Sequence, residues 1–256
     1  QLRENTVMLD NVIITALGLE KKEASLAYSI QKVKGEELTR MKEVNMITAL
    51  AGKAAGVQIN KNSSGIGGSA KVSLRGIRSA SGDNQPLYVI DGVPMLNIGT
   101  EQAYSAIGGT ANAGNRDGGD GISNLNPEDV ESISILKGAP AAALYGSQAA
   151  NGVILITTKK GNTAGQRNIY FSTGLTFDKA FSLPKMQNCY GVSDVVDSWG
   201  EKAYLPISNE LNDFFRTGLT SITSVSVNYG NEKIQTYFSY ANTTGRGIVD
   251  KNQLTK

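Results

Sequence analysis

Side chains that could do chemistry are sparse in this chain of 256 residues. It contains no histidine, which removes the commonest general base and the commonest metal ligand. Its one cysteine, Cys189, has no second cysteine for an intrachain disulfide or a thiolate metal cluster. A Ser-His-Asp or Cys-His nucleophile is therefore excluded, and no segment suggests paired carboxylates for glycoside chemistry. The sequence predicts a protein that is not an enzyme.

Two short motifs partly match known ligand-binding loops, one for calcium and one for a dinucleotide. RDGGDG, residues 116–121, places Asp117 and Asp120 in a Gly-rich loop, but it lacks the third spaced acid and the closing Glu of an EF-hand. Two interpretations stay open there: a calcium site at these two carboxylates, or a plain loop with solvated acids. GIGGSA, residues 65–70, fits a dinucleotide-binding string, yet a strand pattern follows where that fold needs a helix, which favours a chance match. Apart from this calcium interpretation, the sequence predicts no cofactor.

Charge and hydropathy narrow the classes further. The net charge of +2 gives no footprint for a polyanion, so nucleic acid is not expected as a partner. No apolar run approaches the roughly 18 residues that a membrane helix needs, which leaves transmembrane β-strands open because their hydropathy signal is weak. The first residues lack a signal-peptide pattern, so the chain is either cytosolic or already processed.

The first part of the chain, residues 29–160, mixes helix and strand patterns. An Asp-Gly pair at Asp91-Gly92 between apolar runs predicts a β-hairpin. Val153–Thr158 is apolar without alternation, which predicts a central strand covered on both faces. Pro140 near the start and Gly146 just past the end frame a short helix. The remaining patterns predict helices at 35–41 and 46–54, and strands at 29–33, 57–61, 71–75, 87–90, 93–95 and 130–136.

After Gly161 the pattern changes to strict alternation. Three such runs cover residues 169–178, 221–229 and 233–242, and a tight turn joins the last two. About forty residues separate the first two runs. Strands near ten residues with long loops at one end and short turns at the other are typical of an outer-membrane barrel. A soluble antiparallel meander shares the alternation, so periodicity leaves both interpretations open.

Several long motifs resemble one family. VSLRGIRS, PLYVIDGVPM and LNPEDVESISILKGAPAAALYGSQAANGVILITTKKG are similar to the plug domain of TonB-dependent outer-membrane receptors. LDNVIITALG, ALAGKAAGVQI and AANGVILITTKKG resemble the SusC/RagA-type branch, and SWG, DFFRTGLTSITSVSVNYGNEK and GRGIVDKN resemble its first barrel strands and loops. Asn11 stands where the branch usually has an acid, and Gly138 and Pro140 where it often has Asp and Ser.

The resemblance implies an α+β plug domain, with a mixed sheet and short helices, followed by the first antiparallel strands of a transmembrane β-barrel of about 22 strands when complete. We expect an N-terminal segment at 1–28, the plug at 29–161, and the first three barrel strands with the first extracellular loop at 168–256. Three strands cannot close a barrel, so we expect this chain to be an N-terminal piece of a longer protein.

The resemblance also assigns a role to LDNVIITA. In this family a short segment before the plug, the TonB box, is captured by TonB as an added strand. Residues of high β-propensity suit that role, because strand addition uses main-chain hydrogen bonds. An ordinary first strand of the plug is the alternative. The candidate residues are Asp10, Val12, Ile13, Ile14 and Thr15.

Other roles implied by the resemblance concern the wall and the substrate. Arg75 stands where the wider family has a plug arginine that pairs with barrel carboxylates; an exposed surface arginine is the alternative. Loops 77–85 and 97–121 are expected to face the external cavity and contact a glycan or peptide, or else to stay unengaged. Their candidate residues are Arg78, Ser81, Asp83, Asn84, Tyr104, Asn112 and Asn115.

The branch implies partners and a location. We expect TonB-dependent import of oligosaccharides or peptides across the bacterial outer membrane, with the plug inside the barrel and lipid around it. A SusD-like surface lipoprotein is the expected lid, with Trp199 and Tyr204 as candidate anchors, unless these pack within their own loop. The alternative function, of a different class, is a soluble α+β binding or adhesion module at the cell surface.

Overall fold

The computed structural model describes residues 12–14, 20–22, 30–61, 65–79, 84–95, 120–162, 167–183, 187–191, 200–202, 211–231 and 233–256. The chain divides into two compact units, Gln1–Ser172 with Ser224–Ala241, and Thr173–Thr223 with Asn242–Lys256. Within the described ranges, no helix has the length and hydropathy needed to cross a bilayer.

Strands dominate the described chain, and its helices are short. The strands are β1 (Val12–Ile14), β2 (Glu20–Lys22), β3 (Ile30–Lys34), β4 (Val57–Lys61), β5 (Ala70–Leu74), β6 (Leu87–Ile90), β7 (Val93–Met95), β8 (Val130–Leu136), β9 (Val153–Thr158), β10 (Arg167–Asp178), β11 (Gly218–Gly230), β12 (Gln235–Arg246) and β13 (Gln253–Thr255). The α-helices are α1 (Gly35–Thr39), α2 (Met46–Ala49), α3 (Ala139–Tyr145) and α4 (Leu211–Phe214). Short 3-10 turns cover Gly121–Asn124, Pro127–Asp129 and Ser147–Ala149.

A mixed five-stranded sheet, ordered β3-β8-β9-β6-β7, forms the centre of the first unit. Strand β9 lies in the middle, antiparallel to β8 and parallel to β6. Its residues Val153 to Ile156 are all buried, and they alternate between two apolar clusters: Ile154 and Ile156 join one, Val153 and Leu155 the other. The predicted central strand, covered on both faces, is confirmed.

Helix α2 is shorter than its predicted span of 46–54. The Asn45 side chain caps it by accepting a hydrogen bond from the Ile47 N–H at 2.9 Å. After Ala49 the backbone continues in tighter i to i+3 bonds, such as that from the Lys53 N–H to the Leu50 carbonyl. The prediction was wrong here because the apolar spacing of a helix continues through these turns. Helix α3 is as predicted, with Pro140 in its first turn and Gly146 at its C-cap.

The predicted Asp-Gly hairpin joins β6 and β7. Asp91 and Gly92 both have positive φ, 47° and 87°, as the mirror-image turns of tight hairpins require. Asp91 also closes the end of β9, because its carboxylate accepts hydrogen bonds from the Thr158 N–H at 2.9 Å and the Thr158 hydroxyl at 2.6 Å. The aspartate is therefore a turn former, as expected, that also fastens a neighbouring strand.

Strands β10 to β13 form a separate four-stranded sheet in sequence order. Strands β10, β11 and β12 have 12, 13 and 12 residues, longer than the runs predicted at 169–178, 221–229 and 233–242. Since residues 231–234 alone join β11 to its neighbour β12, that pair must be antiparallel. Strand β13, which the sequence did not predict, pairs antiparallel with the end of β12.

The burial pattern of these strands is the reverse of a soluble sheet. On β10, the side chains of Ile169, Phe171, Leu175 and Phe177 are 63–73% exposed. Phe238 and Tyr240 on β12 are exposed on the same alternation. The opposite positions of β11 and β12 are small or polar, apart from the buried Ile222 and from Tyr237, and three of the polar ones are buried. These three are Thr220, Ser224 and Thr243.

Candidate functional site

Asp129 ties the start of β8 to strand β12. Its carboxylate accepts a hydrogen bond from the Tyr237 hydroxyl at 3.0 Å, and its main-chain carbonyl accepts one from the Lys159 N–H at 2.8 Å. The preceding turn is held by the Asn126 side chain, which accepts from the Glu128 N–H at 3.1 Å. Both bonds to Asp129 come from outside β8, so this end of the strand is fastened on two sides.

Residues 160–162 pack directly against the connected ends of β11 and β12. The Asn228 side chain accepts a hydrogen bond from the Asn162 N–H at 2.5 Å and donates one to the Lys160 carbonyl at 3.3 Å. A Cβ on Gly161 would overlap the backbone nitrogen of Thr236, and one on Gly230 would overlap the Asn162 carbonyl oxygen. Here the chain has just left β9, which ends at Thr158. We call Asp129, residues 160–162, Asn228, Gly230 and Tyr237 the junction.

Two cations lie at the other end of β8: Lys137 directly follows that strand, and Arg75 follows β5 and reaches Gly138. We call these two residues the cationic corner. Arg75 has a positive φ of 61°, unusual for this residue type, and its N–H donates to the Gly56 carbonyl at 2.9 Å. Its guanidinium lies over Gly138, where a Cβ would come within 2.9 Å of Nη1. The exposed guanidinium makes no ion pair with a carboxylate in the described ranges.

Lys137 adds to the charge of this corner while fastening it to neighbouring backbone. Its Nζ donates to the Gln31 side-chain oxygen at 3.1 Å and to the Ala55 carbonyl. Burial lowers the pKa of Lys137 below its ordinary value, and the positive charge of Arg75 lowers it further. Two positive charges therefore lie close together at this corner.

The loop residues predicted to face substrate fall into two groups. Asn84 is buried, and its side-chain oxygen accepts from the Arg78 and Ser79 N–H groups at 2.8 and 2.9 Å. Its side-chain nitrogen donates to the Ser79 carbonyl at 2.7 Å, so Asn84 shapes the loop from within. Arg78 is exposed and donates to the Ala150 carbonyl at 2.9 Å. The others, Ser81, Asp83, Tyr104, Asn112 and Asn115, lie outside the described residues.

Asp120, half of the candidate calcium pair, has a role that needs no cation. It is buried, and its two oxygens accept from the Ser123 N–H at 3.0 Å and the Ala70 N–H at 3.2 Å. Asp117 lies outside the described residues, and within them no group of three acidic, histidine or cysteine side chains could hold a metal. With both oxygens engaged by N–H donors, Asp120 fits a metal poorly, and calcium at this pair remains untested.

The remaining predicted sites are described in part. Val12, Ile13 and Ile14 form β1, which pairs with β2, whereas Asp10 and Thr15 lie outside the described residues. Trp199 and Tyr204 also lie outside them.

Two of the quoted barrel-like motifs meet in the second unit. Arg216 of DFFRTG pairs with Asp250 of GRGIVDKN at 2.7 Å and donates to the Gly247 carbonyl at 2.9 Å. The two motifs, separated in the sequence, are therefore in direct contact in the fold.

Comparison with known proteins identifies the first part of the chain. The family model described as "TonB-dependent Receptor Plug Domain" matches residues 22–153, which hold β3 to β8 and end at the first residue of β9. The chain belongs to this family. Its plug domain is the five-stranded sheet with the short helices around it. Members are outer-membrane β-barrel proteins with the plug inside the barrel, so the chain's location is the outer membrane.

Relatives and solved structures define the branch. The chain is 33% identical to the TonB-dependent receptor SusC of Bacteroides thetaiotaomicron over 259 residues, covering 97% of this chain and 24% of SusC. It is 35% identical to the TonB-dependent receptor P26 of Formosa agariphila, covering 70% of this chain and 16% of P26. The RagAB peptide importer in its open-open state matches with a TM-score of 0.68 at 22% identity, over 93% of this chain and 28% of that one. The predicted SusC/RagA-type resemblance is confirmed.

The matched relatives are much longer than this chain. The chain spans about a quarter or less of the length of these relatives, so the activity of the whole protein goes beyond what its plug domain establishes. By their names, the relatives are receptors and an importer, not enzymes.

The sequence missed most of the junction and half of the cationic corner. Tyr237, Asn228, Asp129 and Lys137 lie in ordinary strand or turn patterns, and no local motif marks them. A usable signal did exist on β12, where Tyr237 is a large polar residue on the face otherwise occupied by Ser239 and other small side chains. A large polar side chain on the face of β12 opposite Phe238 and Tyr240 is a candidate for a contact with the plug.

Proposed function

We propose that this chain is the plug and first wall strands of an importer that moves oligosaccharides or peptides across the bacterial outer membrane, as the barrel and plug component of a SusCD-like complex. The observation that carries the proposal is the reversed burial in this sheet: the phenylalanines of β10 and β12 are exposed, while Thr220 and Ser224 of β11 and Thr243 of β12 are buried. In water this arrangement costs hydrophobic free energy, whereas in lipid it is the stable one.

Energy for the proposed import comes from TonB. Family membership and the β-rich segment at Val12–Ile14 support a TonB box that presents its backbone for strand addition. Asp10 and Thr15 belong to the same proposed box. Since TonB spans from the inner membrane, the plug domain is the part of the receptor that receives this energy.

Arg75 is proposed as a breakable latch between plug and wall. Its strained backbone and exposed guanidinium support this role, because strained residues persist where the surroundings over-determine them and often mark functional positions. A partly wet ion pair with a wall carboxylate would be worth about 0–1 kcal/mol, weak enough to be broken during transport.

Substrate and lid contacts are proposed for the loops. Arg78 offers an exposed guanidinium for a substrate, whereas Asn84 contributes by shaping the loop. Tyr104, Asn112 and Asn115, with Ser81 and Asp83, remain candidates on composition alone. Trp199 and Tyr204 remain candidates for contact with a SusD-like lipoprotein. SusC and the RagAB peptide importer leave the choice between glycan and peptide open.

Native purification tests the proposal against the alternative of a soluble binding module. The intact protein is extracted from outer membranes with and without detergent, and mass spectrometry identifies copurifying protein and ligand. We expect extraction to require detergent, with a SusD-like lipoprotein and a glycan or peptide in the purified complex. Full release into the aqueous fraction without such a partner would support the soluble module instead.

A further inference from the structure

The proposed TonB box is half of a small hairpin. Strand β1 pairs antiparallel with β2, with Val12 opposite Lys22, Ile13 opposite Lys21 and Ile14 opposite Glu20. In the described part of the chain this ladder is a sheet of its own, ordered β1-β2 and unpaired with the five-stranded sheet of the plug. The sequence analysis predicted the box but not its companion strand.

Among the described residues β1 pairs with β2 alone, so its other edge is open there. Along a β-strand, successive residues direct their N–H and C=O groups to alternate sides, so at least one residue of β1 directs these groups away from β2. An extended peptide can therefore pair with β1 while β2 stays in place. Unpaired strand edges are templates for such pairing.

Stability favours this three-stranded arrangement. An isolated two-stranded ribbon is marginal in water, and a third strand is normally needed for independent stability. A partner strand on β1 would thus stabilise the β1-β2 pair, and by thermodynamic reciprocity the pair would strengthen binding of the partner. Holding β1 extended beforehand also reduces the conformational entropy lost on binding.

We propose that Glu20–Lys22 is a supporting strand for the TonB box, so that TonB adds to the open edge of Val12–Ile14 and completes a three-stranded sheet in the order TonB-β1-β2. The inference rests on the proposed function, because it takes TonB as the partner of β1. It adds a regulatory element to that site, since any change that opens the hairpin lowers the affinity for TonB. In the opposite arrangement, β2 occupies the edge that TonB needs and competes with it.

Binding of the purified periplasmic domain of TonB to the intact detergent-solubilised receptor separates these arrangements. Proline removes a ladder N–H, and because N–H directions alternate, one of Lys21→Pro and Lys22→Pro must remove an N–H that faces β1. Lys21→Ala and Lys22→Ala are matched controls that lose the charge but keep the N–H. We expect at least one proline variant to weaken binding by about three- to tenfold, as expected for one lost hydrogen bond, and the alanine variants to change it by less than about twofold.

Hydrogen exchange of the same complex gives an independent result. We expect amide exchange at residues 20–22 to slow when TonB binds, although TonB contacts only β1. Tighter binding by both proline variants, unchanged binding by both, or faster exchange at 20–22 in the complex would overturn the supporting-strand inference. Ile13→Pro and Ile14→Pro are the reference arms, because one of these two residues directs its N–H away from β2, and that variant should abolish binding. If both leave binding intact, the TonB-box assignment itself fails, and the inference fails with it.

Discussion

The two ends of strand β8 differ in how they are held. At its start, Asp129 is bonded to Tyr237 of β12 and to the main chain of Lys159, beside the glycine-tight contact of Gly161. At its other end, about 20 Å away for a strand of this length, Arg75 and Lys137 form a cationic corner with no ion pair in the described ranges.

Under the proposal that Arg75 is a latch, this difference separates a fixed attachment of the plug from a releasable one. The junction is built from backbone proximity and bonds that the chain itself completes, so it forms wherever the chain folds. The proposed latch at the cationic corner takes its anion from elsewhere, so that attachment could be made and broken.

Substitution of Gly161 should have the largest effect on this comparison. Gly161→Ala places a methyl group against backbone atoms of Thr236 and Gln235, which cannot rotate away as a side chain could. We expect a loss of about 3 kcal/mol in the opening free energy of β9 amides, measured by native-state hydrogen exchange on the intact receptor. Gly191→Ala is the control, because its nearest atom, the Glu201 carbonyl oxygen, would be 3.6 Å away. Equal exchange in the two variants would show that the close approach of Gly161 to Thr236 and Gln235 does not stabilise β9.

Loss of the Asn228 amide should have the next largest effect. Asn228→Ala leaves the Asn162 N–H and the Lys160 carbonyl without this partner, for an expected cost of about 2 kcal/mol by the same exchange measurement. Asn228→Asp retains the acceptor but not the donor and should lose less. If the aspartate variant loses as much as alanine, accepting from Asn162 contributes nothing to the junction.

Removal of the Tyr237 hydroxyl should cost about 1 kcal/mol, because the bond to Asp129 is charge-assisted but only part-buried. Tyr237→Phe keeps the ring, so the change isolates this hydrogen bond. Tyr240→Phe on the exposed face of the same strand is the control and should be neutral. Matching losses in both variants would indicate a general effect of the strand and not this bond.

The cationic corner should respond least. Arg75→Asn removes the charge and places a residue that tolerates positive φ, so we expect a change of about 0.5 kcal/mol or less in plug stability. Arg75→Lys keeps the charge as a comparison. A loss for Arg75→Asn as large as that for Tyr237→Phe would contradict a distinction between a fixed and a releasable end.

Local patterns predicted the central elements of the fold, and they failed where contacts join distant segments. Val153–Thr158 and Asp91-Gly92 were predictable, because an uninterrupted apolar run and an Asp-Gly turn express their structure within a few residues. The end of α2 could not be predicted, because the turns after Ala49, bonded i to i+3, continue the helical spacing of apolar residues. Tyr237 and Asp129 are separated by 108 residues, so their contact depends on the whole fold.

The candidate site was predictable to the same degree. Arg75 was found through a resemblance, yet its positive φ and its position over Gly138 emerge only from the folded backbone. Asn84 was expected to contact substrate because of the polar composition of its loop. In the structure its side chain is buried and holds the loop through hydrogen bonds to Arg78 and Ser79. Composition identifies polar loops, whereas only geometry separates the side chains that build a loop from those it presents.

The most direct test of an energised importer is accumulation of substrate in cells that carry the intact protein, with TonB present and with TonB deleted. Defined oligosaccharide and peptide pools are offered, and intracellular uptake is measured by mass spectrometry. We expect one of the two pools to accumulate only when TonB is present. Equal accumulation of that pool without TonB, or no accumulation of either pool in the presence of TonB, would contradict it.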